Sequence, residues 1–336
     1  MLEKPTVADE AIVACVQDAF GLKVREISFL PLGADMNTAV YRLITPAQEP
    51  YFLKLRSGLF KETSVTLPRF LLEQGVSELI SPCLTKSGTL WVALADYKVM
   101  LYPFINGHDA YDVPLTDALW RQFGRALKKV HTAVLPQSLA KSIPRETYSP
   151  KWRQMVTKFM QQIQEQLFEE PVARKMATFL TEQQASVARL VAHTEQLAQI
   201  VQKRPQQNVL CHSDIHAWNL LISESGVLYI VDWDDPILAP KERGLMFVGA
   251  GLGNIWHTPR EEALFYEGYG STKIMYELLE YYRCERIIQD IAVYCEQIFL
   301  SVEGGDVRET SYRNLASNFL PNRTIDIAIN SRRHIS

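Results

Sequence analysis

The spacing of apolar residues changes near Asn106-Gly107, and that change limits the chain to a sheet part followed by a helical part. Before it, VREISFL, TAVYRLI, PYFLKLR, TLWVAL and KVMLYPFI read as short strands separated by Pro, Gly and polar turns, which predicts a small, largely antiparallel sheet. A helix opens this part. Another interrupts it between Lys61 and Gly75, where Leu67, Leu71 and Leu72 recur and Pro68 starts the regular second half. After it, LTDALWRQFGRALKKVHTAV repeats Leu115, Leu119, Phe123, Leu127 and Val130 at intervals of three to four. The stretch from Lys151 to Gln202 predicts two long helices packed as a hairpin and broken at Glu170-Pro171. Short strands return in NVLCHSDIHAWNLLI and VLYIVDWDDP, on either side of a turn at Ser225-Gly226, before helical patterns resume. The expected fold class is α+β, with a sheet lobe over residues 1–105 and a larger, mostly helical lobe over 106–336.

Composition narrows the function classes. With 336 residues, 47% of them hydrophobic, the chain can bury a sizeable core without disulfide or metal staples. A net charge of −3 excludes a strongly basic surface devoted to nucleic acid or anionic lipid. No apolar stretch approaches the roughly 18 residues of a membrane span, and the N-terminus lacks the basic and apolar regions of a signal peptide. Five scattered cysteines with no C-x-x-C pair indicate neither a disulfide framework nor a zinc knuckle. A cytoplasmic monomer, with no membrane and no nucleic-acid partner, is the expectation.

Lys54 in the strand PYFLKLR and Asp232 after a strand would each pass singly for solvated charges. Asp214 is different, because HSDIHAWN is enclosed by apolar residues and its polar groups must find partners. Asp214 and Asn219 are five apart, the D-x-x-x-x-N spacing in which a loop offers a carboxylate to a substrate hydroxyl and an amide oxygen to Mg²⁺. The next strand ends in Asp232, a hard oxygen ligand suited to the same ion. Together with Lys54 upstream, these residues form a phosphotransfer constellation in the right chain order. Other motifs fail. VGAGLGN lacks the following strand of a dinucleotide turn, HSDIH lacks the glutamate of a zinc protease, and GYGSTK has its lysine misplaced for a P-loop. Trp218, Trp233 and Trp256 read first as packing residues, with an aromatic edge for a sugar-like ring as the other reading.

On these residues the chain resembles the aminoglycoside phosphotransferase family, relatives of protein kinases that include choline and other small-molecule kinases. The resemblance implies a bilobal protein-kinase-like fold and the cofactors ATP and Mg²⁺. LPLGADMNTAVYRL resembles the nucleotide-binding turn, with Gly33, Asp35 and Asn37, and Lys54 matches the lysine that holds the α and β phosphates. The carboxylate paired with that lysine is assigned to Glu62 rather than Glu73. Tyr102, Pro103, Phe104 and Ile105 correspond to the interlobe hinge that meets adenine. HSDIHAWN matches H-G-D-x-H-x-x-N, making Asp214 the catalytic carboxylate and Asn219 a metal ligand, and VDWDD supplies the second ligand, Asp232. Ser213 replaces the usual glycine, tolerable if its φ is negative. The turn before Asn37 has only Gly33. Gly244 stands before Leu245-Met246 where the family commonly has an aspartate, so that aspartate's hydrogen bonds must be replaced or lost.

The acceptor is read from charge. Between Arg260 and Thr310 there are eleven acids and five bases, so an acidic rim is expected to draw a cationic aminocyclitol antibiotic. Besides Asp214, the candidate contacts are Asp234, Asp235, Glu303 and Asp306. Two alternatives stay open: the same chemistry on choline, homoserine or a thiosugar, and a pseudokinase-like module that holds nucleotide without transfer.

Overall fold

The computed structural model describes residues 4–33, 37–301 and 305–331. In chain order the first elements are α1 (Asp9–Phe20), β1 (Glu26–Leu30), β2 (Thr38–Ile44), β3 (Pro50–Arg56), α2 (Thr63–Glu73), β4 (Val92–Leu94), β5 (Tyr97–Pro103) and β6 (Gly107–Asp109). Helices follow as α3 (Asp117–Thr132), α4 (Gln137–Ser142), α5 (Lys151–Glu165), α6 (Pro171–Glu182) and α7 (Gln184–Val201). Then come β7 (Asn208–Cys211), β8 (Leu220–Ser223), β9 (Leu228–Ile230), β10 (Ile237–Pro240), α8 (Glu242–Leu245), α9 (Pro259–Tyr269), α10 (Tyr276–Phe299), α11 (Gly305–Ser317) and α12 (Thr324–Ile329). None of the described helices is long and apolar enough to cross a membrane.

These elements form two compact units. The first comprises Met1–Pro114, Leu135–Ser142 and Ala217–Pro236; the second comprises Leu115–Val134, Ile143–His216 and Ile237–Ser336. The sequence reading made one cut at residue 105, whereas each unit is built from three segments. Strand pairing is the reason: β6 pairs antiparallel with β8, drawing residues 107–109 and 221–223 into one small sheet.

In the first unit the antiparallel sheet runs β1-β2-β3-β5-β4. Alternation divides its faces. Ala39, Tyr41 and Leu43 of β2, Leu53 and Leu55 of β3 and Val99 and Leu101 of β5 make a core with Ile12 and Val16 of α1. The opposite parity, Phe52, Lys54 and Arg56 beside Met100 and Tyr102, is left to do other work. Helix α1 ends at Gly21, whose φ of 74° suits glycine and whose N–H reaches Gln17.

The second unit is organised by α10, which buries apolar residues from Leu278 to Ile298 against α5, α6, α7, α11 and α12. The expected hairpin over Lys151–Gln202 is three helices, because the chain breaks again at Gln183, whose ψ of 8° departs from helical geometry. At the break foreseen by sequence, Glu170 caps α6 through the N–H groups of Val172 and Ala173 at 3.1 and 2.8 Å, with Pro171 in the first turn. Helix α9 begins with a capping box between Thr258 and Glu261.

Helices α3 and α9 approach backbone to backbone. A Cβ on Gly124 would stand 2.1 Å from the Phe265 oxygen, and one on Gly268 2.0 Å from the Arg121 oxygen. Neither atom belongs to a side chain that can swing away. Gly268→Ala should therefore separate the helices and lower unfolding stability by about 1–3 kcal/mol, read from the urea midpoint; an unchanged midpoint would contradict this close approach.

Candidate active site

Strand periodicity delivers Lys54 to the face of the first unit's sheet that lacks the apolar core. Its Nζ donates to both oxygens of Asp234, at 3.0 and 2.8 Å, and lies 3.5 Å from Asp232 Oδ1. Arg56, two residues along the same face, approaches Asp234 at 3.7 Å and donates to the Thr38 hydroxyl at 2.9 Å. Burial pulls the Lys54 ammonium down, but the carboxylates of Asp232 and Asp234 outweigh it and leave its pKa above the ordinary value. Burial also raises the Tyr102 phenol, against the opposing effect of Lys54.

The hairpin of β8 and β9 brings the expected metal ligands together. Leu220 pairs with Ile230, and Val231 N–H donates to the Asn219 carbonyl at 3.0 Å, so Asn219 stands opposite the residue before Asp232. Asp232 has φ 63°, a left-handed conformation that costs a non-glycine residue roughly 1–3 kcal/mol, and its side chain is half exposed. An amide oxygen and a carboxylate are hard oxygen donors of the kind Mg²⁺ takes, and that ion commonly uses one or two protein ligands beside phosphate and water. Among the described residues, no three His, Cys, Asp or Glu converge as a metal site.

In the second unit, β7 leads into the loop with Asp214. Ser213 has φ 71°, so the residue in the usual glycine's place keeps the left-handed backbone and bears strain, contrary to the negative φ that would have made it harmless. The Asp214 N–H donates to His212 Nδ1 at 3.3 Å. Its side chain accepts from Arg286 at Oδ1, and its Oδ2 lies 3.5 Å from His216 Nε2. Burial opposes ionisation of Asp214, but Arg286 and then His216 outweigh it and hold the carboxyl well below the usual carboxylate range. At neutral pH it is an acceptor, suited to orienting a hydroxyl.

Other expected residues fall as follows. Gly33 turns with φ 94°, and the Asn37 carbonyl accepts from Ser57; Asp35 lies outside the described residues. Tyr102 and Pro103 end β5, and Phe104 N–H reaches the Pro50 carbonyl at 3.4 Å, ahead of Ile105. Glu62 is exposed at the start of α2, and Glu73 pairs with Arg69, so Lys54 is held here by Asp234 instead of either glutamate. Asp234, expected against an acceptor ammonium, is thus engaged with an ammonium of this chain, and Asp235 with that of Lys61. Glu303 lies outside the described residues; Asp306 is the second residue of α11, and its side chain also lies outside them.

The acidic segment is not a free rim. Glu280 meets His193 at 2.7 Å, Glu285 meets Arg153, Asp290 meets Arg286 at 2.8 Å, and Glu267 meets Arg121 at 2.7 Å. Glu267, Glu277, Glu285 and Glu309 are paired with Arg121, Arg204, Arg153 and Lys175, all far away in sequence. Trp233 and Trp256 are buried as expected, while Trp218 stays 42% exposed with its ring stacked on Tyr111 at 4.2 Å. Sequence reasoning missed Arg286 and Asp290. Their signal was an i, i+4 charge pair set among Ile287, Ile288 and Ile291 of a buried helix.

The VGAGLGN turn is a helix break, with Gly249, Gly251 and Gly253 all at positive φ. Gly244 is explained by His131. A Cβ there would stand 2.3 Å from His131 Nε2, so the imidazole fills the space an aspartate side chain would need. His131 Nδ1 lies 2.8 Å from the Tyr269 hydroxyl, and Nε2 has no hydrogen-bond partner among the described residues.

A lysine on a sheet face, an acidic loop end opposite an asparagine, and an ionised carboxylate after a strand are groups that phosphoryl transfer uses. A sequence profile of the phosphotransferase enzyme family matches residues 28–236. The chain belongs to this family, that of the aminoglycoside phosphotransferases, and is an ATP-dependent kinase acting on a hydroxyl group. Spectinomycin phosphotransferase, APH(9)-Ia, in complex with ADP and spectinomycin, is 34% identical with a TM-score of 0.92, over 98% of this chain and 99% of that one. The AMP-bound complex of spectinomycin phosphotransferase is 33% identical with a TM-score of 0.87, over 97% and 100%. An aminoglycoside phosphotransferase from Alicyclobacillus acidocaldarius, 13% identical with a TM-score of 0.62 over 98% and 96%, shares the fold. The α+β, protein-kinase-like architecture expected from sequence is the one these structures have. A comparison with curated protein sequences found no match.

Burial lowers the His131 pKa from 6.5 to about 3, with Lys128 and Lys241 adding to it. A group held neutral in this way contributes stability above its unfolded pKa and loses it as pH falls toward the folded value. Unfolding stability should decline by about 1.4 kcal/mol per pH unit from this group between roughly pH 6 and pH 3. Comparing denaturant midpoints across that range, His131→Gln should lack this component of the slope; identical slopes would exclude it.

Proposed function

We propose that the chain transfers the γ-phosphoryl group of ATP to a hydroxyl of spectinomycin, with Mg²⁺ as the metal, and so inactivates the antibiotic in the cytoplasm as a monomer. The observation that carries this reading is 34% identity over nearly the full length of both chains to an enzyme captured with ADP and spectinomycin.

Residues 1–105 serve in this reading as the nucleotide-binding lobe, ending in a hinge at Tyr102, Pro103, Phe104 and Ile105, and residues 106–336 carry the catalytic loop. Gly33, Asp35 and Asn37 belong to the phosphate turn. Lys54 clamps the α and β phosphates, exchanging the Asp234 carboxylate it holds now for phosphate oxygens. Glu62 is the family's counterpart for pairing Lys54, while Asp234 is the partner observed. Asn219 and Asp232 hold Mg²⁺, which when bound neutralises charge on the transferring phosphoryl group. Asp214 orients the acceptor hydroxyl. The hydroxyl oxygen bonds to the γ-phosphorus as the bond to the β–γ bridging oxygen breaks, ADP departs, and the hydroxyl proton passes to Asp214 or to water. Because such transition states are loose, orientation matters more than basicity, which suits a carboxylate held well below the ordinary range. Asp235, Glu303 and Asp306 are further candidates for ammonium contacts, supported by their sign alone.

The test is incubation with Mg·ATP and spectinomycin, followed by mass spectrometry for addition of one phosphoryl group. Asp214→Ala should cut turnover by about 10²–10⁴ while nucleotide binding, measured by calorimetry, is retained; a variant keeping more than about a tenth of wild-type rate would overturn the role of Asp214. Phosphorylation of choline, homoserine or a thiosugar in place of spectinomycin would redirect the substrate, and no ADP release with any acceptor would favour a nucleotide-binding module.

A further inference from the structure

We propose that Arg286 is a positioning residue for Asp214: a guanidinium carried on α10, braced by Asp290 and Phe247, that fixes the orientation and charge of the carboxylate facing the acceptor. The proposal rests on the reading of Asp214 given above.

The guanidinium is gripped on three sides. One terminal nitrogen donates to Asp214 Oδ1, its Nε donates to Asp290 Oδ1 at 2.8 Å, and its Cζ lies 5.4 Å from the centre of the Phe247 ring. A planar fork held at two edges and one face has little freedom left, whereas a lysine ammonium on a flexible stem would keep most of its own. The Phe247 ring is itself in contact with the His216 ring, edge-on at 5.8 Å. Arg286 therefore reaches Asp214 from a fixed base and is not a surface arginine that has folded over.

Asp214 needs such a support. It follows Ser213 in a left-handed conformation on a short loop. Arg286 approaches its Oδ1 and His216 its Oδ2. The charged and titratable groups around the carboxylate are His212 and His216 on its own loop and Arg286, Asp290 and Tyr294 on α10. Burial raises Asp290 and pushes Tyr294 up to about 12, leaving Arg286 as the fixed positive charge that keeps Asp214 ionised.

Two substitutions separate charge from geometry. In Arg286→Met, kcat should fall on the order of 10–100-fold with the ATP KM within about twofold. The Asp214 carboxyl signal in ¹³C NMR, identified by its loss in Asp214→Asn, should titrate at clearly higher pH than in the wild type. In Arg286→Lys the charge is kept but the two-edged grip is lost, so the titration should stay low while kcat still falls about tenfold. If Arg286→Met fails to fold by thermal melting, Arg286→Gln makes the same comparison. Superimposable Asp214 titrations in wild type and the uncharged variant, or kcat within about twofold in every variant, would overturn the proposal. A wild type that never phosphorylates spectinomycin would defeat the proposed function, while the carboxyl titration would still decide the role of Arg286.

Discussion

A charged side chain can be buried only beside a partner, and α10 carries charges that the second unit must satisfy. Glu280, Arg283 and Glu285 are almost fully buried on it. Glu280 faces His193 of α7; Glu285 faces Arg153 of α5; Arg283 donates to the Met246 and Val248 carbonyls, at 3.0 and 2.5 Å, and to the Ser331 hydroxyl. One turn further, Arg286 takes Asp214. Each pair is worth little as net stability, since desolvation offsets the attraction, but each is expensive to break from one side. The pairs therefore act as registration marks. Helices α5 and α7, the turn after α8 and the loop after β7 have positions relative to α10 that give each of these four charges its partners.

The first unit meets a different constraint, the parity of its strands. Leu53 and Leu55 enter the core, so Phe52, Lys54 and Arg56 are excluded from it. A one-residue slip would turn Lys54 into the apolar core and two leucines out of it, which fixes the lysine's direction as firmly as any contact it makes. Pairing of β8 with β9 does the same for Asn219 and Asp232, thirteen positions apart in sequence and adjacent across the hairpin. The left-handed backbones of Ser213 and Asp232 are the local strain that accompanies this placement.

What sequence made legible was whatever depends on local period and spacing. The faces of β3, the amphipathic run of α3, the break at Glu170-Pro171 and the D-x-x-x-x-N loop needed no knowledge of distant residues. The missed features all depend on a partner far along the chain. Arg286 and Asp290 lie 72 residues or more from Asp214 and read, in a local count, as two charges among many on helical faces. The net acidity of residues 260–310 misled for the same reason: a count records charge, and neutralisation by Arg153, Arg204 or Arg121 occurs in space. Asp234 was assigned to an external ammonium because nothing in VDWDD tells which ammonium, its own chain's or a ligand's, arrives first. The second break at Gln183 carries neither Gly nor Pro, the residues that announce a stop.

The departure at Gly244 shows how one substitution redistributes these constraints. An aspartate there would bring a negative charge into a buried region between α8 and α3. The glycine leaves room instead for His131, whose ring is kept neutral by burial and held to Tyr269. The Gly244 backbone also bonds Cys211, and burial pushes that thiol up to about 12, so this support for the strand leading into the loop is uncharged. At Asp214 itself the charge that outweighs burial is that of Arg286 on α10, aided by the hydrogen bond from His216. The ionisation of the Asp214 carboxylate thus depends on a helix that begins more than sixty residues later in the chain.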